Sequence, residues 1–223
     1  MLDISFPGKS KAKDGVTVWT TKIDGMRYYK THQSKIINSS ITKVYKAVTN
    51  FKEKCNDDLK EHRKIYSQDK KCQFYNETVV EAEIIKTIKT TYTPVKNEFD
   101  RFLVGRYGHK LGDYFFYQLV VSRKHINKVK EQVIESYHIK LDDINAKKYL
   151  SNPKRSEGGF NYSLGVYVLT EKGENKVHVD HYYYAGTDHW LLNKSIAMSL
   201  LFNGLVRGSN LSLSAVIEGA KSF

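Results

Sequence analysis

Proline and cysteine are scarce in this chain, at three and two residues of 223. So few prolines, with 40% hydrophobic residues, exclude a chain that is disordered throughout. Two cysteines are too few for a disulfide-stapled miniprotein or a four-cysteine zinc site. No segment reads as a membrane span, which needs about 18–20 apolar residues. The most apolar stretch, Ser195 to Val206, stops at Arg207. The N-terminus, MLDISFPGKSKAKDG, has neither a charged start followed by an apolar block nor a small-residue cleavage site. Two origins stay open: a cytosolic protein, or an exported one whose signal peptide has been removed. Acidic residues are in deficit, 24 against 36 lysines and arginines, for a net charge of +12. That surplus favours anionic partners and says nothing of the fold.

What the chain has is length for one domain with a real core, and aromatic residues. Sixteen tyrosines and ten phenylalanines against three methionines describe strands with amphipathic aromatic surfaces. The first fourteen residues read as a flexible, polar arm. Val16–Thr20 alternates as a short strand, Asp24-Gly25 turns, and Met26 to Ile37 reads as a long strand. Asn38-Ser39-Ser40 supplies helix N-caps, and Ile41, Val44, Tyr45, Val48 and Phe51 draw one apolar stripe along a helix. Strands follow at 63–67, 71–80 and 82–92, then at 99–107 and 114–122 around the turn 108–113. Ile126, Val129, Val133, Ile134 and Tyr137 keep helical spacing, so 124–153 reads as a helical insert that includes a second helix at 141–150. A β-hairpin over 160–170 and 175–185 comes next. The last stretch, Thr187 to Gly219, reads as a helix with Thr187 or Asp188 as its cap. Leu192, Ile196 and Leu200 recur every fourth residue along it, and a helix apolar most of the way round is a buried one. Strands bracketed by helices in this order mean an α+β fold, with the last helix lying across a curved antiparallel sheet.

Four passages resemble the START/Bet v 1-like (helix-grip, SRPBCC) superfamily, and within it bacterial START-like lipid-binding proteins. They are KDGVTVWTTKIDG at 13–25, Pro94-Val95 followed by Phe99-Asp100-Arg101-Phe102-Leu103-Val104, Gly159-Phe160, and Trp190-Leu-Leu-Asn-Lys-Ser195. Residues 96–98 interrupt the second motif, and the insert at 124–153 is longer than the family's usual connection. The resemblance implies a curved sheet gripping the C-terminal helix, with a cavity between them that binds a lipid or other hydrophobic small molecule. Candidate liners are Tyr114, Phe116, Tyr162, Tyr167, Tyr182 and Tyr184 from the strands, with Trp190, Leu201 and Leu205 from the helix side. Apolar walls hold such a ligand, and a few polar groups orient it. Asp100 and Arg101 match the family's Asp-Arg pair, and Arg106 shares their strand. A buried ion pair, a ligand head-group contact and an exposed strand-edge pair are the readings of these charges.

His178, Asp180 and His181 with Asp188 and His189 raise a metal site. On a strand, however, His181 points away from the other two, so three ligands would converge only if Asp188 or His189 folded back. No metal and no cofactor are expected. There is no G-x-S-x-G elbow and no phosphate-gripping glycine loop. Cys55 and Cys72 are a disulfide in an oxidising compartment or thiols in cytosol. Gly204-Leu-Val-Arg-Gly208 reads as close helix packing. Scattered lysines are first a solvated surface, second a means of docking to an anionic membrane, and third nucleic-acid contacts, for which no recognition motif is present. The leading reading is a non-catalytic carrier gated by the C-terminal helix and the loop 93–99. The alternatives are an enzyme of the same fold, such as a polyketide cyclase/dehydratase using Tyr, His or Asp100 as acid or base, and a basic interaction module with a filled core.

Overall fold

A computed structural model describes residues 6, 10–49, 81–87, 98–108, 114–153, 155–156, 160–188 and 195–223. Its elements in chain order are β1 (Lys11–Lys13), β2 (Val16–Ile23), β3 (Met26–Ile37), α1 (Ile41–Thr49), β4 (Glu81–Thr87), β5 (Glu98–Gly108) and β6 (Tyr114–Ile126). They continue with β7 (Gln132–Lys140), α2 (Asp143–Ala146), β8 (Tyr162–Glu171), β9 (Val177–Thr187) and α3 (Ser195–Ser222). The strands form one antiparallel sheet in the order β1-β2-β3-β9-β8-β7-β6-β5-β4. The hairpin turns follow from sequence. Asp14-Gly15 and Asp24-Gly25 both take the left-handed conformation that a two-residue hairpin turn requires, with φ of 51° and 76°, and 49° and 80°.

Helices cover the inner face of the sheet, and a shorter segment covers its outer face over β5 and β6. On the inner face lie α1 and α3. Ser40 caps α1, its carbonyl accepting from Val44 N at 3.1 Å, and the predicted stripe is buried at Ile41, Val44, Tyr45 and Val48. These residues meet Leu213, Val216 and Ala220 of α3 over Ile134, Leu169, Val177 and Val179 of the sheet. Farther along, Leu205 and Val206 of α3 join Val18, Tyr29 and Ala185, with Met198, Leu201 and Phe202 packed alongside. On the outer face, Leu141, Ala146, Tyr149 and Leu150 cover Leu103, Tyr117, Leu119 and Val121.

Four expectations are corrected. The predicted helix over 124–140 is instead the end of β6, a turn and β7, paired from Ile126↔Gln132 to Gln118↔Lys140. Burial alternates along β7 at Ile134, Ser136 and His138, but two of these inward residues are polar, so the sequence loses the apolar alternation that marks a strand. Within 141–150 only Asp143–Ala146 is helical, capped by Asp142. Three residues of the predicted arm, Lys11–Lys13, pair with β2. Thr187 ends β9 rather than capping the last helix, which runs from Ser195 to Ser222. By length and composition alone Met198–Ser222 would serve as a membrane span; here one side of it packs on the sheet and α1. The predicted strands at 63–67 and 71–80 and the cysteines Cys55 and Cys72 lie outside the described residues.

Candidate functional site

Strand alternation decides which side chains face α1 and α3. The registers align one transverse row on that inner face: Asp100 of β5, Ser122 of β6, Ser136 of β7, Tyr167 of β8, His181 of β9 and Gln33 of β3. Every member is polar or carries a polar tip. The neighbouring row toward α1 is apolar at Ile134, Leu169 and Val179, and the one on the other side runs through Phe102, Val120, His138, Gly165, Tyr183 and Thr31. A polar band thus crosses a largely apolar inner surface.

Burial obliges these groups to find partners. At one end, Tyr45 of α1 donates from its hydroxyl to Asp100 Oδ2 at 2.7 Å and shares a further hydrogen bond with Ser122. Burial, ahead of the nearby Asp100 carboxylate, pushes the Tyr45 phenol well above its ordinary range, so it stays a neutral donor. Ser122 Oγ donates to Ser136 Oγ at 3.1 Å, and Ser136 Oγ lies 3.1 Å from His138 Nε2. His138 meets the Tyr167 ring edge-on at 5.3 Å between centroids, and Tyr167 stacks on His181 at 4.5 Å. At the other end, Gln33 Nε2 lies 3.4 Å from His181 Nδ1 and donates to the Ser209 carbonyl of α3, while Thr31 Oγ1 is 2.8 Å from Ser209 Oγ. Burial, reinforced by His32, lowers the His181 pKa to about 4, so its imidazole is neutral at pH 7.

Gly165 interrupts the surface beside this band. It sits opposite His138 on one side and Tyr183 on the other. A Cβ added there would meet, among the described residues, only the His138 Cβ, at an ordinary 3.6 Å. The glycine therefore leaves room above the sheet next to His138, Tyr167 and Tyr183, where hydrogen-bonding groups and aromatic faces converge.

The Tyr45 bond gives a direct test. Tyr45→Phe is expected to lower stability by about 1–3 kcal/mol, because Asp100 loses its buried donor. A double-mutant cycle with Asp100→Asn in urea should give a coupling of at least about 1 kcal/mol. Additive losses would mean that the two side chains do not interact.

Of the residues singled out from sequence, Asp100 and Tyr167 stand in the polar band. Phe116 lies on the same face farther along, with Lys140 Nζ 5.4 Å above its ring. Leu201 and Leu205 belong to the packing of α3 over Tyr29 and Ala185. Tyr162, Tyr182 and Tyr184 fall on the opposite parity and lie on the outer face. There Lys30 Nζ sits over the rings of Trp19, Tyr182 and Tyr184 at 5.1–5.8 Å. Arg101 also faces outward and does not pair with Asp100. A bulge between Glu98 and Asp100 turns Glu98 onto Arg101's side of the strand, and the two form a bidentate pair at 2.7 and 2.8 Å. Arg106 and Tyr114 are set opposite Phe116 and Gly108 in the register; their side chains, like Trp190 and most of the loop 93–99, lie outside the described residues.

Sequence reasoning missed Gln33, Tyr45, Ser122, Ser136, His138, Gly165 and Ser209. The signal was polar residues at strand-alternate positions, and the helical reading of 124–140 hid Ser136 and His138. His178 and Asp180 share the outer face, with Asp180 bridging His178 at 3.3 Å and His32 at 2.8 Å, while His181 is buried inside. Among the described residues no cluster is arranged to hold a metal ion.

Compared by sequence, the chain matches no family model and no curated protein. By structure it is similar to a STAR-related lipid transfer protein from Xanthomonas axonopodis, at 14% identity and a TM-score of 0.51 over 95% of this chain and 96% of that one. It also matches human STARD10, at 14% identity and a TM-score of 0.46 over 95% and 75%. A third match is the human StarD13 lipid transfer and protein localization domain, at 11% and 0.47 over 95% and 87%.

Proposed function

From the helix-grip α+β fold that the chain shares with START and Bet v 1-like proteins, we propose that it binds a lipid or similar hydrophobic molecule carrying one polar group, without transforming it. The observation that supports this reading is the buried polar band beside the open position at Gly165. Apolar rows on the inner face supply the driving force, at about 25 cal/mol per Å² of apolar surface removed from water. His138, Ser136 and the Tyr167 hydroxyl orient the polar end, since a few placed groups fix the pose in an otherwise apolar site. His181 is stacked behind Tyr167 and held by Gln33, so it positions that ring rather than meeting the ligand.

Native mass spectrometry of the purified protein, followed by denaturing extraction, tests this reading. The expected result is a co-purifying hydrophobic molecule that is lost in Gly165→Leu, whose side chain fills the space, and retained in Gly165→Ala. Both variants should keep the wild-type circular dichroism. A ligand-free mass that does not shift after incubation with mixed lipid extract would overturn the proposal.

A further inference from the structure

At one end of the sheet the β6–β7 turn carries a pattern that a soluble surface does not need. Its sequence, His125-Ile-Asn-Lys-Val-Lys-Glu131, leaves Ile126 61% and Val129 71% exposed. Lys124, Lys128 and Lys130 surround them, and among the described residues none of the three has a carboxylate partner. The turn is built rather than slack. Asn127 Oδ1 accepts from the backbone of Val129 at 3.0 Å and of Glu131 at 2.9 Å, and Asn127 Nδ2 donates to Glu131 at 2.9 Å. Glu131, the acid of the turn, is held by Lys172 of the next hairpin, with Nζ 2.9 Å from both carboxylate oxygens. Its charge is thereby drawn away from the three lysines. Three strands over from β7, the end of β3 repeats the combination, with Ile36 65% exposed beside Lys35.

We infer that this end of the molecule docks on an anionic lipid surface, with Ile126 and Val129 inserted among the headgroups and Lys124, Lys128 and Lys130 against the lipid phosphates and carboxylates. Charge complementarity selects the sign of the partner, because each lysine near such a surface strengthens binding by about fivefold. The two branched apolar side chains select the kind of partner. A bilayer interface gains from burying them, whereas a nucleic-acid backbone has nothing to offer them and would favour arginine and stacking rings. The inference deepens the carrier reading by naming the membrane it would exchange with. It rests on residues outside the polar band, so the two readings fail separately.

Flotation with vesicles of phosphatidylcholine, with and without 30% phosphatidylserine, provides the test on the full chain. The expected result is binding to the serine-containing vesicles alone, weakened by 0.5 M NaCl. Lys128→Glu with Lys130→Glu should lower partitioning more than tenfold, and Ile126→Ser with Val129→Ser by about tenfold. Both pairs are exposed and should leave the unfolding midpoint unchanged, which is measured alongside. Wild-type protein that ignores the anionic vesicles would overturn the inference, as would binding that both variant pairs retain. So would a single-stranded RNA that displaces the vesicles and depends on the lysines but not on Ile126 and Val129. The ligand mass retained by the two variant pairs reports separately on the carrier reading.

Discussion

Leu213→Ala is expected to cost about 2–5 kcal/mol, the largest loss of any single truncation on α3, while Leu200→Ala on the same helix should stay within about 0.5 kcal/mol. Both substitutions remove the same atoms from the same kind of element. Leu213 is 1% exposed and fills the junction of α1, α3 and the sheet, among Val44, Val48, Leu169 and Val179. Leu200 is 74% exposed. Truncating Leu213 leaves a cavity bounded by two helices and a sheet, which cannot all collapse inward, so the cost belongs in the upper part of the range for leucine. Urea unfolding measures both. Equal and small losses would mean that α3 does not dock along the face described. A large loss at Leu200 would mean that the helix is rotated about its axis.

The second large effect is acid sensitivity. The His181 pKa is about 4 in the folded protein, against about 6.5 for an unperturbed histidine, because burial disfavours the imidazolium. The unfolded chain therefore takes up a proton at a pH where the folded one refuses it. Stability from this group is complete above about pH 6.5 and declines as the pH falls toward 4, by about 3 kcal/mol in total. His181→Gln should remove that slope. The comparison is between pH profiles and not between absolute stabilities, because the variant also loses the stack on Tyr167. Urea midpoints at half-unit pH intervals from 7 to 4 give both curves. Parallel curves would show that His181 is hydrated or already charged in the native protein.

Much of the fold was legible because local chemistry and global position agree. Asp24-Gly25 sits at a hairpin turn, Ser40 caps α1, and β2, β3, β8 and β9 alternate well enough to be read directly. Where the sequence misled, polar residues on an inward face are the cause. β7 turns Ser136 and His138 inward, and Val129, Val133, Ile134 and Tyr137 then fall by coincidence at the spacing of a helix. The site suffered from a related ambiguity. Residues 181–184 run His-Tyr-Tyr-Tyr, so chemistry alone does not tell which parity faces the helix. The inward pair is His181 and Tyr183, and Tyr182 and Tyr184 stand on the other face around Lys30. Along α3 the apolar residues nearly encircle the axis, which left the rotational phase undetermined and gave Leu200 the same claim to the core as Leu205.

The pairing of β3 with β9 has a consequence for how the chain is made. From Arg27↔Thr187 to Ile37↔Val177, this ladder joins segments separated by about 150 residues of sequence. During synthesis at about 5–20 residues per second, the β2–β3 hairpin waits roughly 7–30 s for its partner strand. Until then one flank of β3 offers unsatisfied amides and carbonyls to any extended segment nearby. A sheet that closes through contacts this distant folds slowly, since loop entropy must be spent before the pairing stabilises anything. Nascent chains halted before residue 177 should therefore hold a trigger-factor-like holdase, and release it once β9 has emerged.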